Sequence, residues 1–283
     1  MDMKVKSRTP IASGGRSAWT LAAMFVLTAG CSAEPGLNEP ALPDWSGAWQ
    51  LMGNTVFDQG TLEGEGGATD MGVRQRPPYN AEWEALYQAN LERRDQNLLP
   101  DPQSECGIPV GWPRMVNIPG LYEFAVTRDQ TWIISESGPY VIRIHTDGRS
   151  HPAPEDMWPT YTGHSIGEWE GDTLVFETIG LKGSSGMEGI LDRTGVLISD
   201  AARVTTRVRQ ADEETLEVQM TIEDPQSLTA PWVVTKQFRR AGPFTRLFDY
   251  ACGENNRNPI DYATGKTLTL GPDGRPIDSG YQN

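Results

Sequence analysis

Cysteine is scarce in this 283-residue chain: the three residues Cys31, Cys106 and Cys252 cannot form the dense disulfide framework that holds small secreted domains together. Histidine is as rare, with three residues. Basic side chains number 24 against 38 acidic ones, a formal net charge of −14, so nucleic acid and anionic membrane surfaces are poor partners. Long apolar runs are missing too. The best one, Trp19 to Ala29, has 11 residues and falls well short of the roughly 20 needed to span a bilayer. No phosphate-binding loop, dinucleotide fingerprint or redox-cofactor ligand set occurs, which argues against transferase and dehydrogenase chemistry and leads us to expect no cofactor.

What is present begins with a leader. Lys4, Lys6, Arg8 and Arg16 precede the apolar stretch, which ends in Leu27-Thr28-Ala29-Gly30-Cys31. That order is a lipobox. It predicts a lipoprotein signal peptide over residues 1–30 and acylation of Cys31 by palmitate-type chains. Such chains contribute about 0.8 kcal/mol per buried methylene. Ser32 follows in place of the Asp that signals inner-membrane retention, which favours an outer-membrane anchor with the protein facing the periplasm. Residues 31–43, with three prolines and one glycine from Ala33 to Pro43, read as a flexible tether. Without the leader's four basic residues and one acid, 20 Lys+Arg face 37 Asp+Glu. In an oxidising envelope compartment the two remaining cysteines, Cys106 and Cys252, are expected to form a disulfide; two buried free thiols are the alternative. A bridge closing a loop of about 145 residues would remove on the order of 4 to 5 kcal/mol of unfolded-state freedom.

One helix is predicted after Pro77-Pro78, with Asn80 as N-cap, Glu82 and Glu84 in its first turn and Arg93-Arg94 at its end. Gln59 to Gly72, with five glycines, reads as a loop. From Leu121 onward the hydrophobic period is two. Predicted hairpins join Leu121–Thr127 to Thr131–Ser135, His164–Glu170 to Thr173–Ile179 across Gly171-Asp172, Arg203–Gln210 to Thr215–Glu223, and Pro231–Arg239 to Thr245–Cys252. With Tyr140–Thr146 and an early strand around Trp45 to Met52, the chain has about ten strands. The expected fold is all-β: a lipocalin-like barrel or strongly curved antiparallel meander over residues 44–257, with one surface helix. Residues 258–283 read as an extended tail.

Two resemblances follow from particular residues. Gly47-Ala48-Trp49, after Asp44-Trp45-Ser46, resembles the G-x-W signature of lipocalins, whose Trp closes one end of the barrel. The run Gly163-His164-Ser165-Ile166-Gly167-Glu168-Trp169-Glu170-Gly171-Asp172-Thr173-Leu174 resembles an uncharacterised group of secreted bacterial lipocalin-like β-barrel proteins. Thr146-Asp147-Gly148-Arg149, His151-Pro152, Thr221-Ile222-Glu223-Asp224-Pro225 and Cys252-Gly253-Glu254-Asn255 extend the likeness over most of Leu121 to Asn256. It implies fold and compartment rather than an activity. Where that group carries histidines near a Gly-x-x-His-Ser pattern, this chain has Gly195-Val196-Leu197-Ile198-Ser199, so chemistry built on those histidines is absent.

His145, His151 and His164 fall within one 20-residue window, and imidazole is the side chain that titrates nearest neutrality. A two-residue turn at Gly171-Asp172 would pair His164 with Ile179 and Ile166 with Glu177, making His164 and Glu177 diagonal neighbours. The opposite face carries Trp169, Leu174 and Phe176. Arg143 and His145 share a strand face, with Ile142 and Ile144 on the other. The expected catalytic set inside the barrel is therefore His164 and Glu177 moving a proton, His145 beside them, and Arg143 holding an oxyanion. A buried Arg143–Glu177 ion pair with no catalytic role is the structural alternative, and a three-histidine metal site matches no known ligand spacing. Gly163-His164-Ser165-Ile166-Gly167 mimics a nucleophile elbow but lies in a strand running into a hairpin, the wrong context. Trp112, Trp158 and Trp232, each beside a proline, are either packing under loops or an aromatic mouth for a planar or steroid-like ligand. The expected function is cofactor-independent acid–base catalysis of the lyase, isomerase or hydratase type on an apolar small molecule; the alternative is a non-catalytic carrier or envelope binding lipoprotein.

Overall fold

A computed structural model describes residues 41–53, 55–57, 76–96, 110–137, 140–183, 189–249, 260–261 and 266–267. The leader, Cys31, Cys106, Cys252 and most of the 258–283 tail lie outside the described residues. Nine strands form a closed barrel: β1 (Ala48–Leu51), β2 (Leu121–Val126), β3 (Gln130–Ser135), β4 (Val141–His145), β5 (His164–Glu170), β6 (Thr173–Ile179), β7 (Arg203–Asp212), β8 (Thr215–Glu223) and β9 (Trp232–Arg240). β9 returns to β1, with Trp49 opposite Arg240 and Leu51 opposite Phe238, so no edge is left to template aggregation. A two-stranded ribbon, β10 (Ile260–Asp261) and β11 (Lys266–Thr267), stands apart from the barrel sheet. The expected all-β barrel is therefore what forms, with two departures from the expected meander. The hairpin expected between Pro231–Arg239 and Thr245–Cys252 is not made: residues 245–249 form no strand, and β9 pairs with β8 and β1. β4 and β5 pair in parallel, because residues 146–163 cross over instead of making a hairpin.

Alternation decides what fills the barrel. Phe124, Ile133, Ile142, Ile144, Leu174, Phe176, Val204, Val208, Val218 and Met220 are buried, while their sequence neighbours, apart from the buried Thr173 beside Leu174, face outward or lie half-buried. The segment Val110–Ile118 is buried throughout and adds to this core. Trp112 packs against Phe176 with ring centroids 5.6 Å apart, and its backbone N–H donates to Tyr161 O at 2.9 Å. Gly111 permits that approach: a Cβ there would stand 1.6 Å from the Tyr161 carbonyl oxygen. Trp49 is fully buried, donates from Nε1 to Trp45 O at 2.9 Å, and lies under the Arg240 guanidinium at 4.2 Å. That arrangement closes the barrel wall where the first and last strands meet.

The helix is where the sequence predicts it. α1 (Ala81–Asp95) begins with Asn80, whose side chain accepts from Trp83 N, has acids in its first turn and arginines in its last, and buries Trp83 and Tyr87. Tyr79, just before it, donates from its hydroxyl to Leu197 O and accepts from Leu197 N, both at 2.7 Å. Asn90 donates to Gly195 O at 2.9 Å, so the helix holds down the 190–199 loop. Among the described residues, no helix is long and apolar enough to cross a membrane.

Candidate active site

The β5–β6 hairpin sets the geometry. Gly171, at φ +67°, supplies the left-handed backbone that its two-residue turn requires, and the register runs Glu170–Thr173, Glu168–Val175, Ile166–Glu177 and His164–Ile179. His164 and Glu177 are thus diagonal neighbours on one face, as the sequence predicts, and Trp169, Leu174 and Phe176 lie on the other. That apolar face is the inner one. Ser165 and Thr178 also point inward, and their hydroxyls bond each other at 2.8 Å, so Ser165 sits in the wall of a strand rather than on an elbow.

The placement of the charged cluster inside the barrel is therefore corrected. On β4 the buried residues are Ile142 and Ile144, so Arg143 and His145 lie on the outer surface with His164 and Glu177. An ionised group in the filled interior must find a bonded partner to repay its desolvation, whereas the outer face does not ask that of it. Arg143 is exposed, stands opposite Trp132 across the β3–β4 ladder, and is not the partner of Glu177.

Glu177 instead pairs with Arg203 at the start of β7 and with His151, whose Nε2 lies 3.2 Å from Glu177 Oε1. This last contact is close but off the hydrogen-bond direction, and it leaves Nε2 otherwise unsatisfied in a buried position. The Nδ1 atoms of His151 and His164 are 2.8 Å apart, with ring centroids at 5.0 Å, and His145 stacks on His164 at 5.6 Å and 29°. The structure thus gathers His145, His164 and Glu177, leaves Arg143 aside, and adds His151 and Arg203.

Simple electrostatics orders the protons along this row. Arg203 keeps a positive charge against Glu177, so the carboxylate faces His151 Nε2 and is best met by an N–H. With the proton on Nε2, His151 Nδ1 carries a lone pair and must accept from His164 Nδ1–H. His164 Nε2 is then left as a lone pair, the form a general base requires. Burial pushes both His151 and His164 below the usual imidazole range. For His151 the Glu177 carboxylate opposes that shift, and for His164 the neighbouring His151 and His145 reinforce it. His145 is lowered by burial first and by Arg149 next, against Asp147.

Beside His164 is a hollow of about 210 Å³ whose walls include Pro152, Met157, Trp158, Thr160 and Ile179, together with Asp156. Trp158 on its rim is 73% exposed, while Trp112 and Trp232 are core residues, the latter edge-on to Phe57 at 5.0 Å. One tryptophan of the three is therefore available to a ligand. Among the described residues, no group of three or more His, Cys, Asp or Glu side chains is arranged to hold a metal ion.

No protein-family model matches the chain, and no curated protein matches it in sequence. The reading of the site rests on its geometry.

Arg203 and His151 are the residues that sequence reasoning left out of the site. His151 carried a signal, being one of only three histidines, all within 20 residues. Arg203 carried none, because the register joining it to Glu177 is set across a connection of more than 20 residues.

Proposed function

We propose that this protein is a cofactor-independent acid–base enzyme of the cell envelope, of the lyase, isomerase or hydratase type, working on a small apolar molecule at the outer face of its barrel. The observation that carries this reading is the row Arg203–Glu177–His151–His164, which leads from a fixed charge to a histidine at the wall of a hollow. In it His164 Nε2 takes the substrate proton. His151 accepts hydrogen-bond density from His164 Nδ1–H, and Glu177 stabilises the positive charge that develops on the pair. Arg203 pairs with Glu177 and orients its carboxylate. The role given to Arg143 in the sequence is not retained, and His145 is a stacking neighbour that supports the His164 ring. The lipobox supports anchoring through acylated Cys31 at the outer membrane, facing the periplasm, and the same compartment supports a Cys106–Cys252 disulfide.

The test starts by incubating the purified protein with metabolite extracts and identifying what is consumed. His164→Ala and Glu177→Gln should each lower turnover by a factor of about 10² to 10⁴ while leaving the fold intact. Full turnover in a folded His164→Ala variant would refute the reading. If a small molecule binds and is released unchanged, the protein is the carrier that the sequence leaves as the alternative.

A further inference from the structure

We infer that the hollow beside His164 selects a neutral compound of one or two fused rings that stacks on Trp158 and presents an acidic O–H or C–H to His164 Nε2. This rests on the proton-transfer reading above and narrows its substrate. Three observations carry it.

The first is size. The hollow's volume of about 210 Å³ lies below the roughly 300 to 1,000 Å³ of sites for drug-sized ligands, so it holds a single or fused double ring, whereas most of a steroid-like molecule would project beyond its walls. The second is the wall. Pro152, Met157 and Ile179 are apolar, and Trp158 holds a large aromatic face out to solvent, an arrangement that favours offset stacking of a planar ring. The third is charge. Asp156 is the ionisable acid on the wall. Two of the arginines that act on the histidines already have carboxylate partners: Arg149 binds Asp147 through Nε at 2.9 Å, and Arg203 binds Glu177; the third, Arg143, acts on His145 and is not part of the hollow's wall. A carboxylate or phosphate placed here would lose hydration, meet Asp156 and gain no uncommitted cation from these two pairs.

The chemistry balances without a co-reactant. The ring's acidic O–H or C–H bond breaks, its proton bonds to His164 Nε2, and its electron pair remains on the ring as a phenolate or enolate. Neutral His164 becomes an imidazolium, and passing its Nδ1 proton to His151 moves that charge next to Glu177. The anion then either recovers the proton at another atom or expels a leaving group. A phenol or an enolisable ring ketone has this reactivity.

Phenol, 2-naphthol and benzoate are suitable probes, read by the imidazole resonances of the full mature protein and the indole N–H of Trp158 in ¹H–¹⁵N spectra. Phenol and 2-naphthol should shift His164 and Trp158, and benzoate should bind at least about tenfold more weakly. Trp158→Ala should weaken 2-naphthol by about three- to tenfold, and Trp158→Phe should restore most of the loss, as a stacking contact requires. His164→Ala should still bind 2-naphthol, since the ring is held by the walls. Benzoate binding as tightly as phenol, or 2-naphthol affinity unchanged in Trp158→Ala, overturns the inference and leaves proton transfer standing. If the rings bind as stated while His164→Ala keeps full turnover on the natural substrate, the catalytic reading fails and the ligand class survives.

Discussion

Lys236→Met probes how one mouth of the barrel is held shut. Lys236 points inward from β9 at 3% exposure, donates from Nζ to Val56 O at 2.8 Å, and lies 5.1 Å from the centre of the Phe57 ring. Asp192, wholly buried, accepts from Phe57 N and Thr194 N, both at 2.8 Å, and from the Thr194 hydroxyl at 2.6 Å. Burial pushes Lys236 down to about 8 against the pull of Asp192. It also raises Asp192 against its hydrogen bonds and Lys236. In both groups desolvation outweighs the attraction, which acts across space, so both charges are costly to keep. Lys236→Met removes the ammonium's bond to Val56 O and the counter-charge that acts on Asp192, a loss of about 1.5 to 3 kcal/mol. For a domain of this size that lowers the thermal midpoint by about 5 to 10 °C. Adding Asp192→Asn removes the orphaned charge, keeps an acceptor for Phe57 N, and should recover part of the loss. The single variant's deficit should also shrink on acidification. Because the folded pKa of Asp192 is raised, the folded state takes up its proton at higher pH than the unfolded chain does, and the neutral acid needs no counter-charge. Urea unfolding of the three variants at pH 7 and pH 5 measures all of this. A Lys236→Met protein within about 1 kcal/mol of the parent at pH 7, or a double variant no better than the single, refutes the argument.

The histidine cluster gives the opposite acid response. His145, His151 and His164 all have folded pKa values below 6.5, so above that value they are neutral in both states and contribute nothing. Below it the unfolded chain binds more protons and stability falls. Urea midpoints should drop between pH 6.5 and 5, His151→Gln should flatten the drop, and a parent curve flat over that range counts against the cluster's burial. Gly167→Ala places a Cβ 2.4 Å from Val175 O and 2.6 Å from Phe176 Cβ, an overpacking that should cost about 1 to 3 kcal/mol or more in thermal unfolding; a neutral substitution would mean the hairpin is loosely packed. Metabolic labelling with palmitate should mark the parent and not Cys31→Ser, and label retained in the variant refutes the lipobox. A thiol reagent should leave Cys106 and Cys252 unmodified in the native envelope protein until reductant is added; two reactive thiols without reductant exclude the bridge.

The part of the site that sequence predicts is local. The Gly171-Asp172 turn fixes the β5–β6 register by itself, because two-residue loops accept few backbone shapes, and this places His164 diagonal to Glu177. The N-cap of α1 is legible for the same reason: Asn80 and the charges of the first and last turns act within the helix they bound. Alternation on β4 likewise separates Arg143 and His145 from Ile142 and Ile144. It does not say which face is inside. Expecting the polar face in the lumen treated the barrel as a hollow vessel, whereas its inward side chains and the Val110–Ile118 segment fill it.

Sequence alone thus determined whatever depends on neighbours a few residues apart: strand periodicity, the hairpin turn, the helix cap and the clustering of three histidines on a short stretch. Tertiary structure decided the rest. Ring closure between β9 and β1 and the parallel β4–β5 pair bring together residues far apart in the chain, and only that closure turns one face of each strand to solvent. It also places Arg203 beside Glu177, where Arg143 was expected, because β6 and β7 meet in a register set by the whole barrel rather than by the loop between them. The identity of the ion-pair partner, and with it the proton order along the histidines, is a property of closure.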